Sequence, residues 1–202
     1  MTADLKCKVA REAATLLYFG AEREYKQAKV RAAETLGSHF LPSNLEVALE
    51  LEKIAEENEG SKRKERLIEM RKEALKIMKI LDAYCPVLIG SVWRGTIKQG
   101  SDIDIAVYAD EPEVIVKALK EADVKILKTV WTTVNKRGTT FASFHIYGET
   151  LSKYGLEIVV RSREEAGKNR KCEIFGDMMK GLSIKELEKI INENSTQQFI
   201  PS

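Results

Sequence analysis

The chain has 202 residues, 44% of them hydrophobic, and its 33 basic and 31 acidic residues give a formal net charge of +2. This size predicts a globular protein of one or two domains, and the charge balance excludes a global field for gripping long nucleic acid, so any such contact should be local. The three cysteines include no Cys-x-x-Cys pair, which argues against a disulfide framework or a zinc cluster. Because no signal-peptide core and no membrane-length apolar run occurs, we expect a cytoplasmic protein without a membrane partner.

Residues 1–82 are predicted to form an all-helical block, because apolar residues recur there at helical spacing. Helices are expected over 2–36, 43–58 and 62–84. Gly20 indicates either a split of the first helix in two or a close contact within it. Ser43 and Glu46 form a capping-box pattern at the start of the second helix.

Residues 83–163 are predicted to form a sheet with a covering helix. An apolar strand over 86–89 is followed by an alternating strand over 101–107, and Asp110 is expected to cap a helix that has Pro112 in its first turn. β-Branched residues over 124–134, turn chemistry from Asn135 to Gly138 and a strand over 139–147 predict an antiparallel pair.

The last part, residues 164–202, is predicted to hold C-terminal helices and a tail. One helix is expected around 171–179, and a second begins at Ser183, which forms a capping-box pattern with Glu186. We expect residues 194–202 to be a loose tail.

Gly90 and Ser91, directly after the first predicted strand, have the chemistry of a phosphate-binding turn. A glycine lets backbone N–H groups approach a polyphosphate closely, and the serine adds a hydroxyl. A helix that begins near Ser91 would contribute its positive end.

Asp102 and Asp104 lie two residues apart in a predicted strand, so their side chains project from one face. Converging carboxylates suit Mg²⁺ or Mn²⁺. A site with two metal ions needs a further acid, and Glu157, the single acid of the apolar strand over 155–160, is the candidate.

The order of Gly90-Ser91, the Asp102-x-Asp104 pair about ten residues later and the lone Glu157 on a later strand resembles the nucleotidyltransferase superfamily that includes DNA polymerase beta. The stretch from Gly90 to Asp104 is most similar to the catalytic domain of archaeal CCA-adding enzymes and to oligoadenylate synthetases. Phe141–Gly148 is similar to the His-and-Tyr strand that precedes the third carboxylate in the CCA-adding enzymes, which usually carry Asp where this chain has Glu157. The resemblance spans roughly residues 86–161.

The resemblance implies an α+β fold, with a mixed nucleotidyltransferase sheet flanked by helices and the helical block at the N-terminus. It divides the chain into a helical block (1–82), a catalytic core (83–163) and C-terminal helices (164–202). It also implies transfer of a nucleoside monophosphate from an NTP, with ATP expected, to an acceptor hydroxyl on an RNA 3′ end or a protein, with release of pyrophosphate. A small hydroxylated compound is a third possible acceptor.

The implied catalytic residues and ligands of Mg²⁺ or Mn²⁺ are Asp102, Asp104 and Glu157. The implied nucleotide contacts are Gly90, Ser91, Arg94, Lys98 and His145. Simpler interpretations stay open: the Asp pair also fits a solvated strand end, and Glu157 fits an exposed strand residue. Arg94 and Lys98 fit a solvated surface, and His145 fits a structural histidine.

Two other functions also stay open. The first is an antitoxin-type minimal nucleotidyltransferase that modifies a helical partner protein. The second is a module that senses nucleotide without turnover, against which the complete set of acids argues.

Overall fold

The computed structural model describes residues 2–136, 139–168 and 170–201. The predicted turn residues Arg137 and Gly138 lie outside these ranges. The chain divides into two compact units. The first comprises Met1–Arg63, Lys171–Met178 and Ile200–Ser202, and the second comprises Lys64–Arg170 and Met179–Phe199. The domain boundaries expected from the sequence remain predictions.

The first unit is built on three helices, α1 (Thr2–Tyr18), α2 (Tyr25–Thr35) and α3 (Asn44–Glu59). The first predicted helix is therefore split near Gly20. The core of the first unit is rich in alanine, whose small side chain lets helices approach closely. The buried residues of this core are Val9, Ala10, Ala13, Ala14, Leu17, Ala28, Ala32, Ala33, Val47 and Ile54. The predicted capping box is present, since the Ser43 side chain accepts from the Glu46 N–H and the Glu46 carboxylate accepts from the Ser43 N–H.

The second unit contains the sheet and the remaining helices. Its elements are α4 (Ser61–Ile80, which enters this unit at Lys64), β1 (Val87–Ile89), α5 (Gly90–Arg94), β2 (Ile103–Tyr108), α6 (Pro112–Glu121), β3 (Lys125–Lys136), β4 (Thr139–Glu149), β5 (Gly155–Arg161) and α7 (Ile184–Glu193). None of the helices in the described ranges is long and apolar enough to cross a membrane.

The five-stranded sheet has the order β1-β2-β5-β4-β3. β2 and β5 pair in parallel, while the other neighbouring pairs are antiparallel, so the sheet is mixed and the predicted α+β class is confirmed. Ile103, Ile105 and Val107 of β2 are fully buried in the core of this unit, together with Met70 and Met78 of α4. The alternate residues of β2, which include Asp104, therefore lie on the opposite face.

The predicted helix over 171–179 is wrong. The chain instead forms two short strands, β6 (Arg170–Lys171) and β7 (Met178–Met179). Gly176 has φ +76°, and a right-handed helix cannot continue through that conformation. The Cys172 N–H donates to the Asp177 carbonyl at 2.7 Å, which closes the turn.

The predicted loose tail is also wrong for residues 195–199. The Phe199 N–H donates to the Arg94 carbonyl at 2.9 Å, and the Arg94 guanidinium donates to the Phe199 carbonyl at 2.8 Å. The Phe199 ring stacks on Trp93 with 6.5 Å between ring centroids. The segment after α7 therefore packs against α5, the helix that begins with the predicted phosphate-binding turn.

Candidate active site

Strand pairing places the third predicted acid beside the aspartate pair. In the parallel register of β2 and β5, Asp104 lies directly opposite Glu157. Asp102 immediately precedes β2, so the two-residue alternation puts its side chain on the same face as Asp104. The predicted adjacency of the three carboxylates is confirmed.

Two glycines make room for the two aspartates. Gly90 has φ +70°, and a Cβ at this position would overlap the Asp104 carboxylate. A Cβ at Gly155, the first residue of β5, would overlap the Asp102 carboxylate. Any side chain at either glycine would therefore displace an acid, and at Gly90 it would also strain the backbone.

Burial, with repulsion between neighbouring carboxylates as the second cause, raises the pKa of both aspartates. Burial, followed by the negative charges of Glu157 and Asp102, raises the pKa of Asp104 to about 7. Burial and the Glu157 charge also raise the pKa of Asp102, while the positive charge of Lys98 opposes that rise. Because burial and repulsion disfavour the ionised forms of Asp102 and Asp104, a bound cation would stabilise those ionised forms.

Replacing Asp104 by Asn is therefore expected to stabilise the metal-free protein more at pH 8 than at pH 5. The pKa of Asp104 is raised on folding, so the native state holds the proton more tightly and wild-type stability falls as the pH rises from about 4 to 7. The advantage of Asn should grow by about 2 kcal/mol between pH 5 and 8, or roughly 4–8 °C in Tm. Thermal unfolding in EDTA measures it, with the exposed Asp123→Asn as control; an advantage that does not change with pH would contradict the assignment.

The third acid is held by two side chains of β4. His145 Nδ1 lies 2.6 Å from Glu157 Oε1, and Ser143 Oγ lies 2.9 Å from His145 Nε2. A carboxylate only accepts, so Nδ1 donates to Glu157 and Nε2 accepts from the serine hydroxyl in the neutral ring. Tyr147, opposite Glu157 in the register, also hydrogen-bonds it, and burial and the Glu157 charge raise the Tyr147 pKa.

The remaining predicted nucleotide contacts occupy different environments. Ser91 is partly exposed in the first turn of α5, and Lys98 is close enough to Asp102 for its charge to act on that acid. Arg94 is buried, with its guanidinium 4.4 Å from the Trp93 ring centroid and bonded to the Phe199 carbonyl. The structure thus places Lys98 near Asp102, whereas the Arg94 side chain is buried in contact with Trp93 and Phe199.

Sequence reasoning missed Arg71 of α4. Its side chain is fully buried, and it donates to four backbone carbonyls, those of Val92, Trp93, Ser195 and Gln197, at 2.8–3.1 Å. The guanidinium therefore joins the end of α5 to the segment after α7. Arg71 lies four residues after Leu67 and three before Ala74, so it falls within the apolar stripe of the helix. A cation in that stripe is the sequence signal that could have indicated a buried arginine.

Replacing Arg71 by Met is expected to lower the free energy of unfolding by about 3 kcal/mol or more, because four carbonyls lose their donor in a buried site. Urea unfolding monitored by circular dichroism measures the loss. Lys72→Met, at an exposed position on the same helix, is the matched control and should change stability by less than about 0.5 kcal/mol. Equal stability of the two variants would contradict a structural role for Arg71.

The two aspartates fit a divalent cation better than the complete triad does. Within the described ranges, no group of three or more His, Cys, Asp or Glu side chains stands in position to hold a metal ion. Glu157 is directed to His145 and Tyr147. Asp102 and Asp104, by contrast, supply the oxygen donors that Mg²⁺ and Mn²⁺ prefer, and burial together with the neighbouring negative charges raises the pKa of both.

Residues 71–173 match the model of the nucleotidyltransferase domain family. Because this match covers half of the chain, the protein belongs to that family, as the resemblance to the superfamily of DNA polymerase beta implied. No curated protein matches the sequence.

Among solved structures, the chain is similar to a cytoplasmic RNA terminal U-transferase, with 15% identity, a TM-score of 0.34, and coverage of 60% of this chain and 35% of that one. It is similar to Cid1, a terminal uridylyl transferase, at 15% identity and TM-score 0.32, covering 58% of this chain and 38% of that one. It is also similar to the GLD-2/RNP-8 complex at 9% identity and TM-score 0.33, covering 60% and 38% respectively. The chain thus spans well under half the length of these structures.

Proposed function

We propose that the protein transfers a nucleoside monophosphate from an NTP to an acceptor hydroxyl and releases pyrophosphate. The observation that carries the proposal is the placement of Asp104 directly opposite Glu157, on the face shared with Asp102 and beside the Gly90 turn. Membership of the nucleotidyltransferase family supports the reaction class. The similarity of the stretch from Gly90 to Asp104 to archaeal CCA-adding enzymes favours ATP as donor and an RNA 3′ end as acceptor; a protein hydroxyl is the second acceptor considered.

Asp102 and Asp104 are the residues that would hold Mg²⁺ or Mn²⁺. When bound, the cation supplies positive charge for the triphosphate and for the attacking hydroxyl. The backbone N–H groups at Gly90 and Ser91 are assigned to the β and γ phosphates, because the start of α5 leaves them without partners inside the helix. Lys98 adds charge beside Asp102.

Glu157 is assigned to the acceptor hydroxyl. Two hydrogen bonds, from His145 and Tyr147, fix its carboxylate next to Asp104. A fixed carboxylate can take the proton that the hydroxyl loses as it attacks the α-phosphorus. His145 is assigned to positioning Glu157, which replaces the direct nucleotide contact expected from the sequence.

Arg94 is likewise reassigned. Its burial and its bond to the Phe199 carbonyl support a role in holding α5 in place, so that the turn at Gly90 keeps its relation to the acids. A contact between Arg94 and the triphosphate would require that packing to open.

Label transfer tests the proposal. Each α-³²P-labelled NTP is incubated with the protein, Mg²⁺ or Mn²⁺, and total cell RNA or total cell protein, and the two acceptors are resolved separately. We expect label in RNA from ATP, and none when Asp104→Asn replaces wild type. Label in protein alone would move the acceptor to a protein hydroxyl, and absence of label from all four NTPs with either metal would favour a module that senses nucleotide without turnover.

A further inference from the structure

A second feature of the sheet begins beside the acids, since one of its lining residues, Ile89 of β1, lies directly opposite Asp104 in the register. A cavity of about 200 Å³ opens where β1, β2 and β5 meet the segment after β5. Its apolar wall includes Val87, Ile89, Ala106 and Met179, and the ring of Tyr108 joins them. Four cations also line it: Arg161, Lys168, Arg170 and Lys180.

This cavity shares a sheet face with the proposed active site. Tyr108 lies four residues after Asp104 on β2, Arg161 lies four residues after Glu157 on β5, and the two are directly opposite each other in the register. Even-numbered spacing keeps all four side chains on one face. At about 3.3 Å per residue, the cationic end of the face is roughly 13 Å from the acidic end.

The cavity carries an excess of positive charge. Arg170 forms an ion pair with Glu165 at 2.8 Å, and Arg161 hydrogen-bonds Tyr108. Lys168 and Lys180 are exposed, and neither forms an ion pair with a residue in the described ranges. The site therefore suits an anion that also has an apolar or aromatic part to place against Tyr108 and the apolar wall.

We propose that this cavity binds a nucleotide of the acceptor RNA strand, one that precedes the 3′-terminal nucleotide. The inference rests on the proposed function and locates the acceptor. The incoming NTP is assigned to the Gly90 turn beside the acids, whereas Tyr108 and Arg161 lie roughly 13 Å further along the face. A phosphate site among the cations therefore serves a strand that extends from the acids along the same face. Lys168 and Lys180 contact phosphodiester oxygens, and Tyr108 offers a ring on which a base stacks.

The overall charge of the chain fits this arrangement. A net charge of +2 gives little long-range attraction for a polyanion, so single-stranded RNA must be held by a local group of cations. The cationic cavity is such a group, and its aromatic and apolar lining distinguishes it from an ordinary solvated lysine cluster.

Fluorescence anisotropy with a 5′-labelled 12-nucleotide oligoadenylate tests the proposal in the full chain. The double variant Lys168→Glu/Lys180→Glu is expected to bind at least tenfold more weakly than wild type. The slope of log affinity against log salt should shrink by about 1.4, because each lost single-strand phosphate contact removes about 0.7. The control Lys120→Glu/Lys185→Glu makes the same charge change on exposed lysines of α6 and α7 and should bind within twofold of wild type. Lys168→Gln/Lys180→Gln repeats the test with a smaller charge change.

The binding of ATP and of tripolyphosphate distinguishes an RNA site from a site for any small phosphate-containing anion. We expect the double variant to bind both like wild type, because their site is the Gly90 turn. A parallel loss of ATP and tripolyphosphate binding would make the cavity a small-anion site and overturn the proposal. Oligoadenylate binding that is undetectable in wild type, or equal in the variant and the control, would overturn it too. This assay involves no turnover, so a weakened variant would uphold the RNA site even if label transfer failed.

Discussion

Binding of Mg²⁺·ATP is expected to become undetectable by calorimetry when Asp102 and Asp104 are both replaced by Asn. Both carboxylates lie on one face, both pKa values are raised, and Lys98 is the only positive charge that acts on Asp102 among the described residues. Asn keeps the size of each side chain but removes the negative charge that attracts the cation. The transfer rate should fall by about a thousandfold or more, since the triphosphate and the attacking hydroxyl both lose the charge supplied by the metal.

The double variant must stay folded for this result to bear on metal binding. Circular dichroism should show native helix content, and the metal-free melting temperature at pH 8 should equal or exceed that of wild type, because repulsion with Glu157 is removed. The matched control Asp123→Asn should bind Mg²⁺·ATP normally. A folded Asp102→Asn/Asp104→Asn protein with wild-type affinity would remove both aspartates from the metal site.

Glu157→Gln is expected to slow transfer about a hundredfold while nucleotide affinity stays within twofold of wild type. Gln retains an oxygen that can accept from His145 Nδ1, so the local geometry survives, but its amide cannot take a proton from the acceptor hydroxyl. Single-turnover rates at saturating metal and ATP, with the acceptor found by label transfer, measure the chemical step alone.

A second variant separates positioning from chemistry at this acid. His145→Gln removes the imidazole but leaves the Glu157 carboxylate, so the rate should fall by roughly tenfold, less than in Glu157→Gln. Wild-type rates in Glu157→Gln would leave this residue as an ordinary member of β5.

Local pattern predicted much of the second unit. The strand periods around Asp102 and Glu157, the placement of Pro112 in the first turn of α6 and the capping box at Ser183 are each set by residues within a few positions of one another, and all appear in the structure. The predicted cap of α6 is wrong, since the N-cap is Glu111 and not Asp110. The neighbouring placement of β2 and β5 came from the family resemblance, because parallel pairing across about 50 residues leaves no local signal.

Long-range contacts and backbone conformation decide other features. Arg94 follows the predicted phosphate-binding turn in sequence, but its surroundings are set by Phe199, which lies 105 residues away, and its nucleotide contact stays a prediction. The helix expected over 171–179 does not form, because Gly176 has a left-handed conformation that a right-handed helix cannot contain. Arg71 was passed over because a single cation within an apolar stripe is normally a solvated neighbour of the core.

The joining of α5 to the segment after α7 has a consequence for biosynthesis. During translation, the Gly90 turn and both aspartates leave the ribosome about 100 residues before Phe199 does. Until then, Arg71 lacks the Ser195 and Gln197 carbonyls, and Arg94 lacks that of Phe199. The helix α5 therefore acquires its full support only after synthesis reaches Phe199, so a shorter ribosome-bound nascent chain contains Gly90 and the two aspartates without the contacts that fix α5.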